Sequence, residues 1–466
     1  KMTGDIMQRI NDHKRIESVL TTSSLSVLFS AINFVVFSFV LCYYSLQIFG
    51  VFLVGSFFYF LWVAIFLKKR KELDYKRFSQ VSQEQSKVIE LINGMQEIKL
   101  HNAERQKRWQ WEHVQARLFN ISIKNLVLEQ YQSVGSGLIN ELKNILITVL
   151  SATLVIKGSI TLGMMIAITY VVGQLNGPIQ QFINFIRQVQ DAKISLERLG
   201  EIHNKEDEDS SIKNQVLNIT PHSGFELENV SFRYTGSSEE VLKNLSLYIP
   251  PNKTTAIVGT SGSGKTTLMK VLLKFYNPTS GDIKLGSHSL HNVSSNVWRS
   301  HCGVVMQEGY IFNDTIAHNI AIGEDTIDQK KLQKSIVLAN IEDYIKGLPL
   351  GLNTKIGLEG NGLSTGQKQR LLIARAIYKN PEYLFFDEAT SALDANNEKI
   401  IMENMDTFLK GKTAVVIAHR LSTVKNADQI LVLDQGRIVE QGTHQELVNQ
   451  RAKYYHLVKN QLELGN

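Results

Sequence analysis

Cysteine is almost missing: of 466 residues only Cys42 and Cys302 are cysteines, far apart and outside any C-x-x-C pair or Cys/His cluster. That excludes a disulfide framework and a cysteine-held zinc site. Compact positive charge is scarce too. The net charge is +6, yet the one dense basic run, Lys68-Lys69-Arg70-Lys71, directly follows an apolar stretch, where the positive-inside rule expects it at a cytosolic membrane edge. Nucleic acid is therefore not an expected partner. The polar opening, residues 1–15, lacks the apolar core and small-residue cleavage site of a secretory signal. Proline is absent from residues 68–132, so nothing there forces a helix to stop. No internal repeat is evident.

Charge is missing where apolar residues run longest. Residues 25–46 and 48–67 form two nearly charge-free runs in tandem, each near the roughly 20 residues that a bilayer-spanning helix needs. They predict a membrane hairpin whose tip faces away from the cytosol. Residues 138–156 and 160–186, joined at Lys157-Gly158-Ser159, repeat the arrangement with more polar content. Glu141 and Lys143 are costly at mid-bilayer, about 2.5 to 3.5 kcal/mol each, so they are expected at a water-filled cavity or at the cytosolic edge. Gly173, Gln174, Asn176, Gly177 and Pro178 are expected to interrupt the fourth run, as in a partly wetted, pathway-lining helix. Between the hairpins, apolar residues such as Val88, Ile89, Leu91, Ile92, Met95 and Ile98 recur at helical spacing, with a break at Asn93-Gly94. The charged residues 203–211 read as a solvated linker. From Phe225 short β-rich runs alternate with helical patterns, predicting an α/β domain with a mainly parallel sheet.

Within that domain, Gly259-Thr260-Ser261-Gly262-Ser263-Gly264-Lys265-Thr266 fits G-x-x-x-x-G-K-[ST] between a strand pattern and a helix pattern. Such a loop curls backbone N–H groups around phosphate, Lys265 neutralises β/γ oxygens, and the Thr266 hydroxyl can ligate Mg²⁺, with Thr267 beside it. Tyr383-Leu384-Phe385-Phe386 ends in Asp387-Glu388, one carboxylate suited to metal and one to polarising water. Leu363-Ser364-Thr365-Gly366-Gln367 precedes a helical run, with Ser364 as N-cap and Gln367 at the capping-box position. It is either a second anion site or a well-capped helix.

A P-loop, this pentapeptide, Asp387-Glu388, Ser391-Ala392-Leu393-Asp394 and Ala418-His419-Arg420, in that order, resemble the motif set of ABC ATPases. The resemblance covers the chain from about Phe225 onward. It implies ATP and Mg²⁺ as cofactors, Tyr234 stacked on adenine, Gln307 as the lid glutamine near Mg²⁺ and the attacking water, Glu388 as base and His419 on the γ-phosphate. Asp387 would hold metal, and Asp394 would sit in the loop joining two sites. Ser364, Thr365, Gly366 and Gln367 would face the nucleotide of a second copy, since this family sandwiches each ATP between two subunits. A homodimer is expected, a heterodimer being the alternative. Thr365 departs from the family's usual Gly.

The whole chain resembles a type I exporter half-transporter, which implies an α-helical transmembrane domain followed by an α/β P-loop nucleotide-binding domain. Four of an expected six spans are present, so residues upstream of Lys1 are expected. The implied layout is a transmembrane domain at 1–202, a linker at 203–222 and the ATPase at 223–466, with coupling segments near 4–12 and 93–104. Gly4-Asp5-Ile6-Met7-Gln8-Arg9-Ile10 and residues 307–323 look most like peptide and bacteriocin exporters with an N-terminal cysteine peptidase, and like type I secretion ATPases. ATP-driven export of a peptide or protein is the expectation, from a bacterial plasma membrane with the ATPase in the cytoplasm. Lipid or drug export, or a non-transport regulator, are the alternatives.

Overall fold

The computed structural model describes residues 3–204, 208–209, 216, 218–220, 222–307, 309–357, 362–389, 395–418 and 424–463. The chain separates into two compact units, Lys1–Lys205 and Glu206–Asn466.

The first unit is helical. Helix α1 (Thr3–Ser18) runs through one π-turn (Val19–Ser23) into α2 (Ser24–Tyr44), so residues 4–12 are the opening turns of a long helix. Ser45, extended at φ −163°, reverses the chain and caps α3 (Leu46–Asn93) by accepting from Ile48 N–H. At about 1.5 Å per residue, the 48 residues of α3 extend roughly 72 Å, over twice the hydrocarbon thickness of a bilayer. Gly94 ends it, the short α4 (Met95–Leu100) follows, and α5 (Glu104–Ile156) and α6 (Leu162–His203) complete the unit. Four helices are long and apolar enough to cross a membrane among the described residues.

Leu41, Ile48, Phe52, Ile147, Ile168 and Leu175 make a small interior, whereas Phe29, Phe39, Phe57 and Val149 lie exposed on the outside of the bundle. Apolar side chains facing outward suit lipid or partner helices.

Pro178 sits inside α6, which stays helical through it. Its missing N–H costs one ladder bond, and the side chains on either side of it are held from other helices, Tyr59 donating to Gln180 and Lys143 to Asn176. Lys143 itself is 4% exposed and borders a cavity of about 770 Å³ between the helices, lined also by Phe58 and Trp62. Its Nζ donates to Asn140 Oδ1 at 2.9 Å and Asn176 Oδ1 at 2.8 Å, and lies 4.8 Å from the Phe52 ring centroid. Neutral amides and a ring face thus take over its solvation. Gly55 leaves it room, since a Cβ there would lie 2.6 Å from Lys143 Cγ.

Toward the far end of the bundle an ionic knot joins three helices. Arg198 of α6 meets Asp74 of α3 at 2.9 Å and Asp12 of α1 at 3.6 Å, and its guanidinium lies 4.0 Å from the Phe78 ring centroid. Ser195 donates to Asp12 at 2.8 Å.

The second unit has two sheets. Strands β1 (Phe225–Phe232), β2 (Leu242–Ile249), β4 (Ser280–Leu285) and β5 (His288–Ser289) form an antiparallel sheet in the order β2-β1-β4-β5. Its alternating burial leaves one face on a core that includes Phe225, Leu245 and Trp298. The other sheet, ordered β10-β9-β3-β8-β7-β6, is the expected parallel one. It comprises β3 (Thr254–Val258), β6 (Cys302–Val305), β7 (Tyr383–Asp387), β8 (Thr413–Ile417) and β9 (Gln429–Asp434), with β10 (Arg437–Gly442) antiparallel at its edge. β7 and β8 are buried at every position, as continuous apolar runs covered on both faces must be. Helix α7 (Lys265–Leu272) follows β3 and α8 (Ser295–Ser300) precedes β6. A helical region holds α9 (Ile316–Ile320), α10 (Gln329–Leu338), α11 (Glu342–Lys346) and α12 (Thr365–Lys379). Helix α13 (Ala395–Leu409) and two C-terminal helices, His444–Gln450 and Lys453–Glu463, complete it.

Candidate functional site

The carboxyl ends of β3, β8 and β7 lie side by side, β8 between the other two. The loop after β3 and the acids after β7 are therefore two strand spacings apart, roughly 10 Å, at the edge where open α/β sheets place their ligands. Gly259 leaves β3 with a backbone so close to its neighbour that a Cβ would lie 2.1 Å from the Leu433 carbonyl oxygen. Gly264, left-handed at φ 105°, turns the chain into α7, so the loop's amides and the helix start face the same space. Lys265 Nζ donates to the Gly259 and Thr260 carbonyls, both at 2.9 Å. Burial pushes its ammonium below the ordinary lysine range, with Glu388 and Asp387 pulling it back.

Asp387, 1% exposed, closes β7. Its carboxyl is held above the usual range by burial, against the Thr266 hydroxyl, which hydrogen-bonds the charged form; Glu388 adds to the rise and Lys265 opposes it. Its Oδ1 is buried without a hydrogen-bond partner, as is Ser263 Oγ. Orphaned oxygens of this kind in a loop built for phosphate fit a hard cation and an anionic ligand. Asp387 and the Thr266 hydroxyl are the residues that would hold Mg²⁺.

Glu388 next in sequence stands in the left-handed region at φ 51°, a costly conformation outside glycine, of order 1–3 kcal/mol. Its N–H donates to Ile417 O at 3.1 Å, and Gln369 Nε2 donates to its carbonyl at 2.8 Å. Gln307 Nε2 donates to its Oε2 at 3.0 Å, so the structure brings the predicted lid glutamine onto the predicted base. Tyr234 packs edge-on against Phe232 and Tyr276, ring centroids 4.9 and 5.4 Å away, with its hydroxyl 3.0 Å from Thr267 Oγ1. Ser364 caps α12 with a complete capping box, its Oγ accepting from Gln367 N–H and Gln367 Oε1 accepting from Ser364 N–H. Thr365 and Gly366 are the first helical residues there.

Comparison with known families matches residues 242–391 to "ABC transporter" and residues 1–179 to "ABC transporter transmembrane region". The chain belongs to the ABC transporters. The alpha-hemolysin translocation ATP-binding protein HlyB of Escherichia coli O157:H7 is 36% identical over 98% of this chain and 64% of its own length. The leukotoxin translocation ATP-binding protein LktB of Bibersteinia trehalosi is 37% identical over 99% of this chain and 65% of its own. The chain thus spans a little under two thirds of these curated relatives. A solved bacterial Atm1-family ABC exporter with ATP bound matches with a TM-score of 0.92 and 27% identity, over 99% of this chain and 81% of that one. An ABC exporter architecture is shown, a helical transmembrane region followed by an α/β ATPase domain in an integral membrane protein.

Within this ABC fold, Gly259, Thr260, Ser261, Gly262, Ser263, Gly264, Lys265, Thr266, Thr267, Gln307, Asp387 and Glu388 all fall at one sheet edge and its flanking loops. Asp394 and His419 lie outside the described residues. The sequence reading missed Gln369, whose only signal was its place two residues beyond the capping box. It also missed Leu433 and Gly436, which close the P-loop from the neighbouring β9–β10 hairpin, Gly436 N–H donating to Ser263 O at 3.0 Å.

Proposed function

We propose that the chain carries the motor of an ATP-driven exporter in which two copies clamp ATP between the P-loop of one and the α12 start of the other. The observation that carries this reading is the convergence at the β3 and β7 ends. A buried Asp387 with a bare oxygen stands there beside Glu388, whose side chain is held by Gln307. The ATPase unit is the cytoplasmic part of a protein of the bacterial plasma membrane, and the cargo is a peptide or protein, in keeping with the similarity to the haemolysin and leukotoxin translocation proteins HlyB and LktB.

In the proposed reaction the loop amides and Lys265 bind and orient the phosphates, and Tyr234 supports the base side. Mg²⁺, when bound, neutralises phosphate charge. Glu388 accepts a hydrogen bond from water and draws its proton as the γ-phosphate is attacked. Gln307 keeps the carboxylate aimed. Lys265 Nζ donates to the Gly259 and Thr260 carbonyls, and the third N–H of its ammonium is left for a phosphate oxygen. Closure around two nucleotides then moves the transmembrane helices, and hydrolysis resets them.

The Glu388→Gln variant tests the assignment. Expected are ATP affinity within about threefold of the parent and turnover reduced by at least about a hundredfold, with a nucleotide-trapped dimer visible on gel filtration. Near-normal turnover would remove Glu388 from the role of base.

A further inference from the structure

We propose that Gln369 is a positioning residue of the ATPase site, tying α12 to the main chain of Glu388 so that nucleotide gripped at one site sets the base of the other. The inference rests on the two-copy reading above and goes beyond it.

Gln369 is buried, 8% exposed, and a buried amide N–H must find an acceptor. It spends that donor on the Glu388 carbonyl at 2.8 Å, far from its own helix ladder. The carbonyl it grips belongs to Glu388, the one acid at positive φ (51°) among the described residues, just past the end of β7. With the Glu388 N–H fixed on Ile417 O, both backbone polar groups of that residue are anchored, and the direction of its side chain follows. Release of the Gln369 contact frees the peptide to rotate, and the carboxylate moves off the position that Gln307 supports.

The helix that carries Gln369 begins at Ser364, whose side chain caps it. Five residues along a helix are about 7.5 Å, less than two turns, so a shift of the α12 start carries Gln369 almost rigidly with it. In the clamped dimer the α12 start serves the partner's nucleotide, while Glu388 serves the nucleotide on its own P-loop. Gln369 thus belongs covalently to one site and by hydrogen bond to the other. A passive buried amide would satisfy the carbonyl equally well, and kinetics separate the two roles.

The experiment uses the full-length protein in lipid nanodiscs, comparing the parent with Gln369→Met, which keeps length and loses the donor, and Gln369→Glu. Expected for Gln369→Met is a fall in kcat of about tenfold, KM for ATP within about twofold of the parent, and a Hill coefficient falling toward one. Gln369→Glu should be as slow near about pH 8 and recover relative to the parent toward about pH 6. A carboxyl buried against a carbonyl oxygen protonates readily and can then donate. Gln369→Met should show no such recovery. Parental kcat and Hill coefficient in Gln369→Met, or a Gln369→Glu profile that parallels Gln369→Met at every pH, would overturn the inference. Should Gln369→Met fail to fold, the pH recovery of Gln369→Glu decides alone. A parent that hydrolyses ATP without cooperativity and shows no trapped dimer with Glu388→Gln would instead bring down the two-copy reading.

Discussion

Single atoms carry the chemistry of this site, and Asp387 shows how. Burial raises its carboxyl pKa, against the Thr266 hydroxyl that favours the ionised form. A raised acid pKa means the folded unit holds the proton more tightly than the unfolded chain does, so this group favours folding at low pH and the contribution fades as pH climbs through the folded value. Metal binding needs the opposite form. We therefore expect Mg²⁺-dependent nucleotide affinity to fall on acidification from a higher pH than an ordinary carboxylate near 4 would give. Titrating ATP binding against pH with Mg²⁺ and with EDTA checks this, because the acid limb should vanish without metal. An identical limb in both would remove Asp387 as its source. The sequence displayed Asp387 and Glu388 as a pair, but their different fates depend on burial and on φ, neither of which residue types reveal.

At the scale of elements, the β3–α7 turn and the start of α12 are built by different rules. Gly259 is fixed by the approach of the Leu433 carbonyl, which a Cβ would meet at 2.1 Å. Gly259→Ala should therefore destabilise the ATPase unit by about 1–3 kcal/mol and abolish nucleotide binding, read by calorimetric melting and nucleotide titration. Retained binding would show that the turn can relax. Ser364→Ala removes one half of the capping box, a loss of about 1 kcal/mol in helix stability. If the α12 start also serves a partner's nucleotide, turnover should fall far more than that modest loss explains, whereas Gln367→Ala should match it in stability. Equal, small effects on turnover would leave Ser364 with capping alone. Both elements were legible as motifs; what pressed on them from β9 and β10 was not, since those strands lie over 150 residues further along the chain than Gly259.

At the scale of the molecule, polar contacts cross between the helices of the first unit, and Arg198, Asp74 and Asp12 form a charge cluster that Arg15 joins. Arg198 and Asp12 are 3% and 4% exposed at their side chains. Arg198→Ala leaves Asp12 and Asp74 with Arg15 as their ion-pair partner, at 3.8 and 3.5 Å, so a destabilisation smaller than the roughly 3–5 kcal/mol of a fully unpaired buried charge is expected, seen as a lower melting temperature in lipid nanodiscs. An unchanged melting temperature would mean that water enters the knot. The sequence alone determined the order of the two units, the four apolar runs, the P-loop and the acid pair, because each rests on local spacing and composition, which are properties of contiguous residues. Tertiary structure decided the rest. The side chains flanking Pro178 on α6 are held from other helices, Gln180 by Tyr59 and Asn176 by Lys143, and Lys143 is buried with Asn140 and Asn176 accepting from its ammonium. Gln369 reaches Glu388 only because α12 packs against β6, the neighbour of β7 in the sheet. Apart from Asn140, which lies one turn from Lys143 on the same helix, these partners sit on other elements, and bringing them together is a property of the packed fold rather than of any segment.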